Sequence, residues 1–138
     1  MIAYLDTSAL LRLVFRQEGG LEELRTCDLL VASELLVVES LRTVDRLRVM
    51  NGLSIAEAAA RRALVGEWLE AIDLVVLQRP ILARASEPFP TPLRTLDALH
   101  LATALVWRDR TGQPLVMATH DGALALAARS FGFEVLGA

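Results

Sequence analysis

Apolar positions along this chain fall into two kinds of run. Short blocks lack an internal polar break, and longer stretches repeat every three to four residues. The blocks cover residues 2–5, 29–32, 74–77 and 115–118, with a mixed block at 133–136 closing the chain. Four or five continuous apolar residues suit a strand buried on both faces, because a half-buried strand alternates. Helical periodicity fills the gaps. One helix runs from Asp6 or Thr7 as cap to about residue 15, a short one covers 21–26, and Ser33 caps a long one to about residue 50. Ser54 with Glu57 three positions on forms a capping-box pattern that opens an alanine-rich helix to about residue 71. A helix from about 96 to 108, with Thr95 as its expected cap, is followed by a last one that Asp121-Gly122 opens and Gly132 stops. Gly19-Gly20 and Asn51-Gly52 break the pattern, Pro80 starts a short helix, and Pro88, Pro90 and Pro92 make an extended loop.

Strands separated by helices predict an α/β protein whose parallel sheet is covered on both faces. The 138 residues suit one domain, 1–138, and show no repeat, linker or low-complexity tract. In such sheets ligands bind outside the carboxyl ends of the strands. Asp6 and Asp121 are expected at that edge, since each stands just after a strand.

Four acids draw attention at strand ends and helix starts: Asp6, Glu39, Asp97 and Asp121. Each has a plain alternative. Asp6 and Asp121 suit helix caps, and Asp97 suits the positive end of a helix dipole, worth ~0.3–1 kcal/mol. Glu39 lies within Leu35-Leu36-Val37-Val38-Glu39-Ser40-Leu41, where a charge is costly unless paired or liganded. An exposed Glu39–Arg42 pair is its bland reading, worth little. Glu34 is the rival acid on that helix, but a place in the first turn explains it by the dipole. His100 and His120 stand close by and are ambiguous. Capping does not require four acids to converge, whereas a hard divalent cation does, and oxygen donors favour Mg²⁺ or Mn²⁺ over zinc.

Composition narrows the choices. Cys27 is the only cysteine, which excludes an internal disulfide and a cysteine-rich zinc site. All 14 basic residues are arginine, so a P-loop lysine is missing, as is the lysine that phosphoacceptor receiver domains use. A net charge of −3 argues weakly for or against nucleic acid, since bound metal offsets acids and arginines can gather on one face. The apolar fraction of 54% leaves room for a partner interface beyond the core. No apolar stretch nears the ~18 residues that span a bilayer, and no charged segment precedes an apolar leader. A cytoplasmic protein is the expectation.

The stretches Tyr4-Leu5-Asp6-Thr7-Ser8-Ala9-Leu10 and Ser33-Glu34-Leu35-Leu36-Val37-Val38-Glu39 resemble the PIN-domain ribonucleases, and among them the VapC-like toxins of bacterial toxin–antitoxin pairs. So do Leu96-Asp97-Ala98-Leu99-His100-Leu101-Ala102-Thr103-Ala104, Ala118-Thr119-His120-Asp121-Gly122-Ala123-Leu124, and the tail from Ala127 to Val135. Order, spacing and length match over essentially the whole chain. The resemblance implies a three-layer α/β/α sandwich around the parallel sheet and an acidic pocket for one or two Mg²⁺ or Mn²⁺ ions. It implies hydrolysis of RNA phosphodiester bonds, a homodimer, and an antitoxin whose tail lies near the pocket. Asp6, Glu39, Asp97 and Asp121 become the acidic quartet, with Thr7, Ser8 and Thr119 as polar neighbours. All four acids are implied metal residues, Asp6 and Asp97 foremost, and Asp121 stands in the place of a fourth acid that in this family often acts through water. Arg12, Arg16, Arg42 and Arg46, chosen by nearness and helical phase, are candidates for phosphate or for an acidic antitoxin tail. Two other readings stand beside this one: a metal-dependent phosphatase for small molecules, and a catalytically silent binding module on the same fold. Phosphatase chemistry of the haloacid-dehalogenase type is set aside, because Ser8 occupies the place of its second aspartate.

Overall fold

The computed structural model describes residues 1–138 and contains one sheet of five strands, all parallel. They are β1 (Ile2–Leu5), β2 (Leu29–Ser33), β3 (Ile72–Val75), β4 (Val116–Ala118) and β5 (Glu134–Leu136), in the spatial order β3-β2-β1-β4-β5. The helices are α1 (Thr7–Val14), α2 (Leu35–Val49), α3 (Ile55–Glu70), α4 (Arg79–Ala85), α5 (Thr95–Thr111) and α6 (Gly122–Ser130), with a 3-10 turn at Glu22–Thr26.

Alternation along β1 splits the core into two layers. Ala3 and Leu5 face Leu10, Leu13, Leu36, Val65 and Trp68 from α1, α2 and α3. Tyr4 faces the other way, towards Leu101 and Leu105 of α5 and Leu124 of α6. The result is a three-layer α/β/α sandwich. Each buried leucine stabilises by about 1.5–3 kcal/mol, more than a typical helix cap, so the layers fix where each strand end stands.

After β1 the chain builds outward through β2 to β3, then crosses back to place β4 on the other side of β1. The strand order therefore reverses between β1 and β4. Their carboxyl ends open a crevice there, the usual ligand position in open parallel sheets. Residues 6–8 leave β1 at this point, and residues 119–121 leave β4 beside them. Gly137, at φ 98°, lets the chain pass close behind Thr119, since a Cβ would stand 2.6 Å from the Thr119 carbonyl oxygen.

Four local expectations need correction. Ser33 stands one residue before the cap position of α2, which Glu34 holds, although its Oγ accepts the Leu35 N–H at 3.1 Å. The third strand is Ile72–Val75, two residues before the apolar block at 74–77. It is an edge strand paired only with β2, from Leu30–Ile72 to Ser33–Val75, so Asp73 can point to solvent while Val76 is left outside, 54% exposed. Thr95 does not cap α5: it is the first helical residue, and Arg94 before it makes no capping bond. Glu34 does more than suit a dipole, because its Oε1 accepts the Leu77 backbone N–H at 2.9 Å and ties α2 to the end of β3.

Candidate active site

Asp6 ends β1 and caps α1. Its Oδ1 accepts from the Ala9 backbone N–H at 3.1 Å and from Ser8 Oγ at 2.7 Å. Its Oδ2 accepts from Thr119 Oγ1 at 2.7 Å. The residue is only 4% exposed. Burial pushes its pKa above the usual carboxylate value, and the bonds from Ser8, Thr119 and Ala9 hold part of that rise back. Capping and site-building are thus one arrangement, not rival accounts of the residue.

Thr119 carries the network across to β4. Its hydroxyl gives its hydrogen to Asp6 and accepts the Asp121 backbone N–H at 3.0 Å. Ser8 likewise donates to Asp6 and accepts the His120 backbone N–H at 2.9 Å. Asp121 caps α6, its Oδ1 accepting from the Leu124 N–H at 2.8 Å. The His120 ring turns away, with Nδ1 3.2 Å from the Gly137 carbonyl.

Glu39 approaches from α2, one turn inside the helix. Its bland partner fails: Arg42 pairs with Asp45 at 3.0 Å instead. Glu39 Oε1 accepts from Thr7 Oγ1 at 2.8 Å and lies 2.6 Å from Nε2 of His100. Burial would raise the Glu39 pKa, but the bond and charge of His100, with Thr7, outweigh it and leave the group below its usual value. His100 is 2% exposed and its Nδ1 stands 2.8 Å from the Tyr4 hydroxyl, itself fully buried. Sequence reasoning left His100 ambiguous and passed over Tyr4. A usable signal existed, since a tyrosine inside a buried strand needs a polar partner.

Asp97 stands in the first turn of α5, half-buried, and accepts no hydrogen bond. With Asp121 it lines a depression of about 370 Å³ beside Leu93 and Arg94. Its pKa is raised first by burial, then by the charge of Asp121, with further repulsion from Asp6 and Glu39 and some relief from His100. All four acids therefore share one field at the crevice. No three carboxylate, imidazole or thiol groups stand at the spacing of a closed metal cage. The donor set nonetheless suits a hard cation, for Asp97, Glu39 Oε2 and Asp121 Oδ2 are oxygens with no hydrogen-bond donor.

The arginines divide. Arg42 and Arg46 line a groove of about 430 Å³ with Glu39, Thr43, Val49 and Leu96. Arg16 lines a separate depression with Gln17, Gly19 and Gly20, at the far end of α1, and Arg12 has its guanidinium beside Gly19. α1 runs away from Asp6 by about 1.5 Å per residue, so its last residue, Val14, is roughly 12 Å off along the axis, and Arg16 follows it in the chain.

The PIN domain family pattern matches residues 3–129, and the chain belongs to that family. It is 38% identical over 82 residues to Ribonuclease VapC46 of Mycobacterium tuberculosis, a match covering 59% of this chain and 56% of that protein. The match thus spans little more than half the length of that relative. Among solved structures, VapBC2 from Rickettsia felis, bound to a DNA fragment from its promoter, is similar with a TM-score of 0.68. That likeness covers 98% of this chain and 97% of that one at 11% identity. A toxin–antitoxin complex from Klebsiella pneumoniae is similar with a TM-score of 0.64 at 17% identity, over 89% of this chain and 90% of that one. At these identities the structures bear on the fold alone.

Proposed function

We propose that this chain is a Mg²⁺- or Mn²⁺-dependent endoribonuclease of the VapC type, the toxin half of a toxin–antitoxin pair, with 1–138 acting as one nuclease domain. The observation that carries this is the gathering of Asp6, Glu39, Asp97 and Asp121, from four separate parts of the chain, at the point where the strand order reverses. Burial first, and then the charge of the other three acids, pushes the Asp97 carboxyl up. Repulsion of that kind is an expense in the free protein and becomes useful once a cation is bound. The relative named as a ribonuclease supports RNA as the substrate.

In this reading Asp97 and Asp6 hold the cation, while Glu39 and Asp121 complete its surroundings or orient the attacking water. A divalent ion in such a place lowers the pKa of water and offsets charge on the scissile phosphate. Ser8 and Thr119 keep Asp6 aimed, and Thr7 does the same for Glu39. Arg42 and Arg46 receive the RNA backbone along their groove, and Arg94 sits at the other side of Asp97. Large apolar side chains left exposed on α2, at its end and at the start of α3, namely Val38, Val49, Met50 and Ile55, supply surface for a second copy and for an antitoxin. No helix is long and apolar enough to cross a membrane, and a cytoplasmic site of action fits the substrate.

The deciding experiment uses purified chain, labelled structured RNA and Mn²⁺ or Mg²⁺, with EDTA as control. The parent cuts and EDTA stops it. Asp6→Asn and Asp97→Asn remain folded and do not cut, and toxicity on expression disappears with them. Variants that cut as well as the parent overturn the assignment. Hydrolysis of a simple phosphate monoester with little salt dependence points to the phosphatase instead, because RNA contacts weaken steeply with salt. Folded protein that binds RNA and never cuts it points to the silent module.

A further inference from the structure

We propose that Tyr4 and His100 are positioning residues: they form a hydrogen-bonded strut that fixes Glu39 by Oε1 and so reserves Oε2 for the cation. This rests on the metal-dependent reading above.

Two of the directions follow from what each group can give. The Ser33 backbone N–H donates to the Tyr4 hydroxyl oxygen at 3.2 Å, and a backbone N–H can only donate. The Tyr4 hydroxyl and His100 Nδ1, 2.8 Å apart, share a hydrogen bond in which either can donate. At the other end an ionised Glu39 can only accept, so a ring hydrogen sits on Nε2. Nε2–H donates to Glu39 Oε1 at 2.6 Å, where Thr7 Oγ1 also donates at 2.8 Å. Oε1 is filled from two sides. Oε2 receives no donor and is the free ligand atom.

Mere burial does not ask for this arrangement. Tyr4 is 0% and His100 2% exposed, and their rings meet edge to face at 5.9 Å. A tyrosine–histidine pair satisfied inside the core needs no carboxylate, yet the second ring nitrogen is spent on an acid standing in the crevice. The strut also begins at Ser33, the last residue of β2, so the sheet itself sets where Glu39 rests. Glutamate has three side-chain torsions, and without such a brace its carboxylate can swing out of the cleft. Outer groups that brace ligands in this way typically change metal affinity or activity about 10–100-fold when removed.

Two measurements test the strut. The chain has only two histidines, so ¹⁵N spectra of the imidazoles in the His120→Gln background report His100 alone. The expected spectrum shows a protonated Nε2. A bare Nε2, with the ring hydrogen on Nδ1 alone, overturns the proposal. The second measurement is Mn²⁺ titration by calorimetry without RNA. His100→Leu weakens Mn²⁺ binding by about tenfold. His100→Gln, whose amide nitrogen replaces the Nε2–H donor, stays near the parent, and Tyr4→Phe falls between. In cleavage assays the Leu variant loses rate at limiting Mn²⁺ and regains it at high Mn²⁺, with KM for RNA unchanged. A purely structural loss is not rescued by the ion. Should His100→Leu fail to fold, Tyr4→Phe carries the test against His100→Gln. Parent-like Mn²⁺ binding in folded His100→Leu or in Tyr4→Phe overturns the strut alone. A parent chain that binds no Mn²⁺ overturns the metal-dependent reading, and the strut's purpose with it.

Discussion

Asp6 and Asp97 occupy opposite walls of the same crevice with opposite surroundings. Asp6 is 4% exposed and takes three donors, two of them hydroxyls whose only hydrogens it absorbs. Asp97 is half-buried and takes none. Both carboxyls are raised. For Asp6 the cause is burial, softened by its donors. For Asp97 burial is joined by the charge of Asp121 and the other two acids. Folding therefore already accommodates the first acid and leaves the second in an unrelieved field. The difference teaches where a cation changes the molecule most: at the wall that no hydrogen bond secures.

The sharpest way to break this contrast is alanine at each position. Asp6→Ala removes the α1 cap, typically about 0.5–2 kcal/mol, and strands the buried Thr119 hydroxyl, about 1–3 kcal/mol more. A loss of about 2–4 kcal/mol in urea denaturation is expected. Asp97→Ala sits at the other extreme, within about 0.5 kcal/mol of the parent or above it. Equal losses at the two positions would sink the comparison.

Asp97→Asn sharpens it further. Removing the charge relieves the repulsion from Asp121, Asp6 and Glu39, so the metal-free fold gains a few tenths to about 1 kcal/mol, the range for partly exposed charges. Mn²⁺ then separates the two proteins, since a ligand stabilises only the form that binds it. Thermal melts should show the parent rising with Mn²⁺ while Asp97→Asn stays level. A variant that is both less stable without metal and still raised by Mn²⁺ contradicts the field at this wall.

The same shifts set a pH dependence for the metal-free chain. Asp6 and Asp97 have folded pKa values above their unfolded ones, so between the two values the native state holds protons that the unfolded chain has released. Stability falls as pH rises through that window, which starts near the unfolded carboxyl value of about 3.9. Glu39 acts in reverse: it is lowered in the fold, and its contribution is present above its unfolded value, near 4.3, and lost as pH falls. Asp28 and Asp45 are lowered as well, but in surface ion pairs that weigh little against the buried site. In EDTA the melting temperature should therefore drop as pH rises from about 4, and saturating Mn²⁺ should flatten the slope. A level profile in EDTA leaves no room for the repulsion.

What the sequence made legible follows the range of the forces involved. The caps at Asp6, Ser54 and Asp121 act over three residues, and each accepts the backbone N–H three positions on, though Glu57 does not return the second bond of the capping box. β1, β2 and β4 are buried on both faces, so continuous apolar runs mark them. β3 is different. At a sheet edge it tolerates Asp73, and its position is set by pairing with β2, which no local pattern records. Glu34 reaches 43 residues ahead to Leu77, and His100 reaches back 61 residues to Glu39 and 96 to Tyr4. Those roles become visible only when the layers stack. The placement of Arg12 and Arg16 shows the same limit. Nearness to Asp6 in sequence ignores that α1 carries them away from it.

That last division gives the smallest effect and a direct test of where RNA lies. Arg46 is exposed, has no ion partner and lines the groove beside Glu39, whereas Arg42 shares that groove but is already paired with Asp45. Arg16 belongs to a separate depression beyond α1. Each phosphate contact on a single strand contributes about 0.7 to the slope of log affinity against log salt. Arg46→Ala should lower that slope by about this amount and Arg42→Ala by less, with sequence preference unchanged, because backbone contacts carry no base information. Arg16→Ala should leave the slope as it was. A drop at Arg16 equal to that at Arg46 would send the RNA over the amino edge of the sheet, and the contrast between the crevice and the far end of α1 would fail.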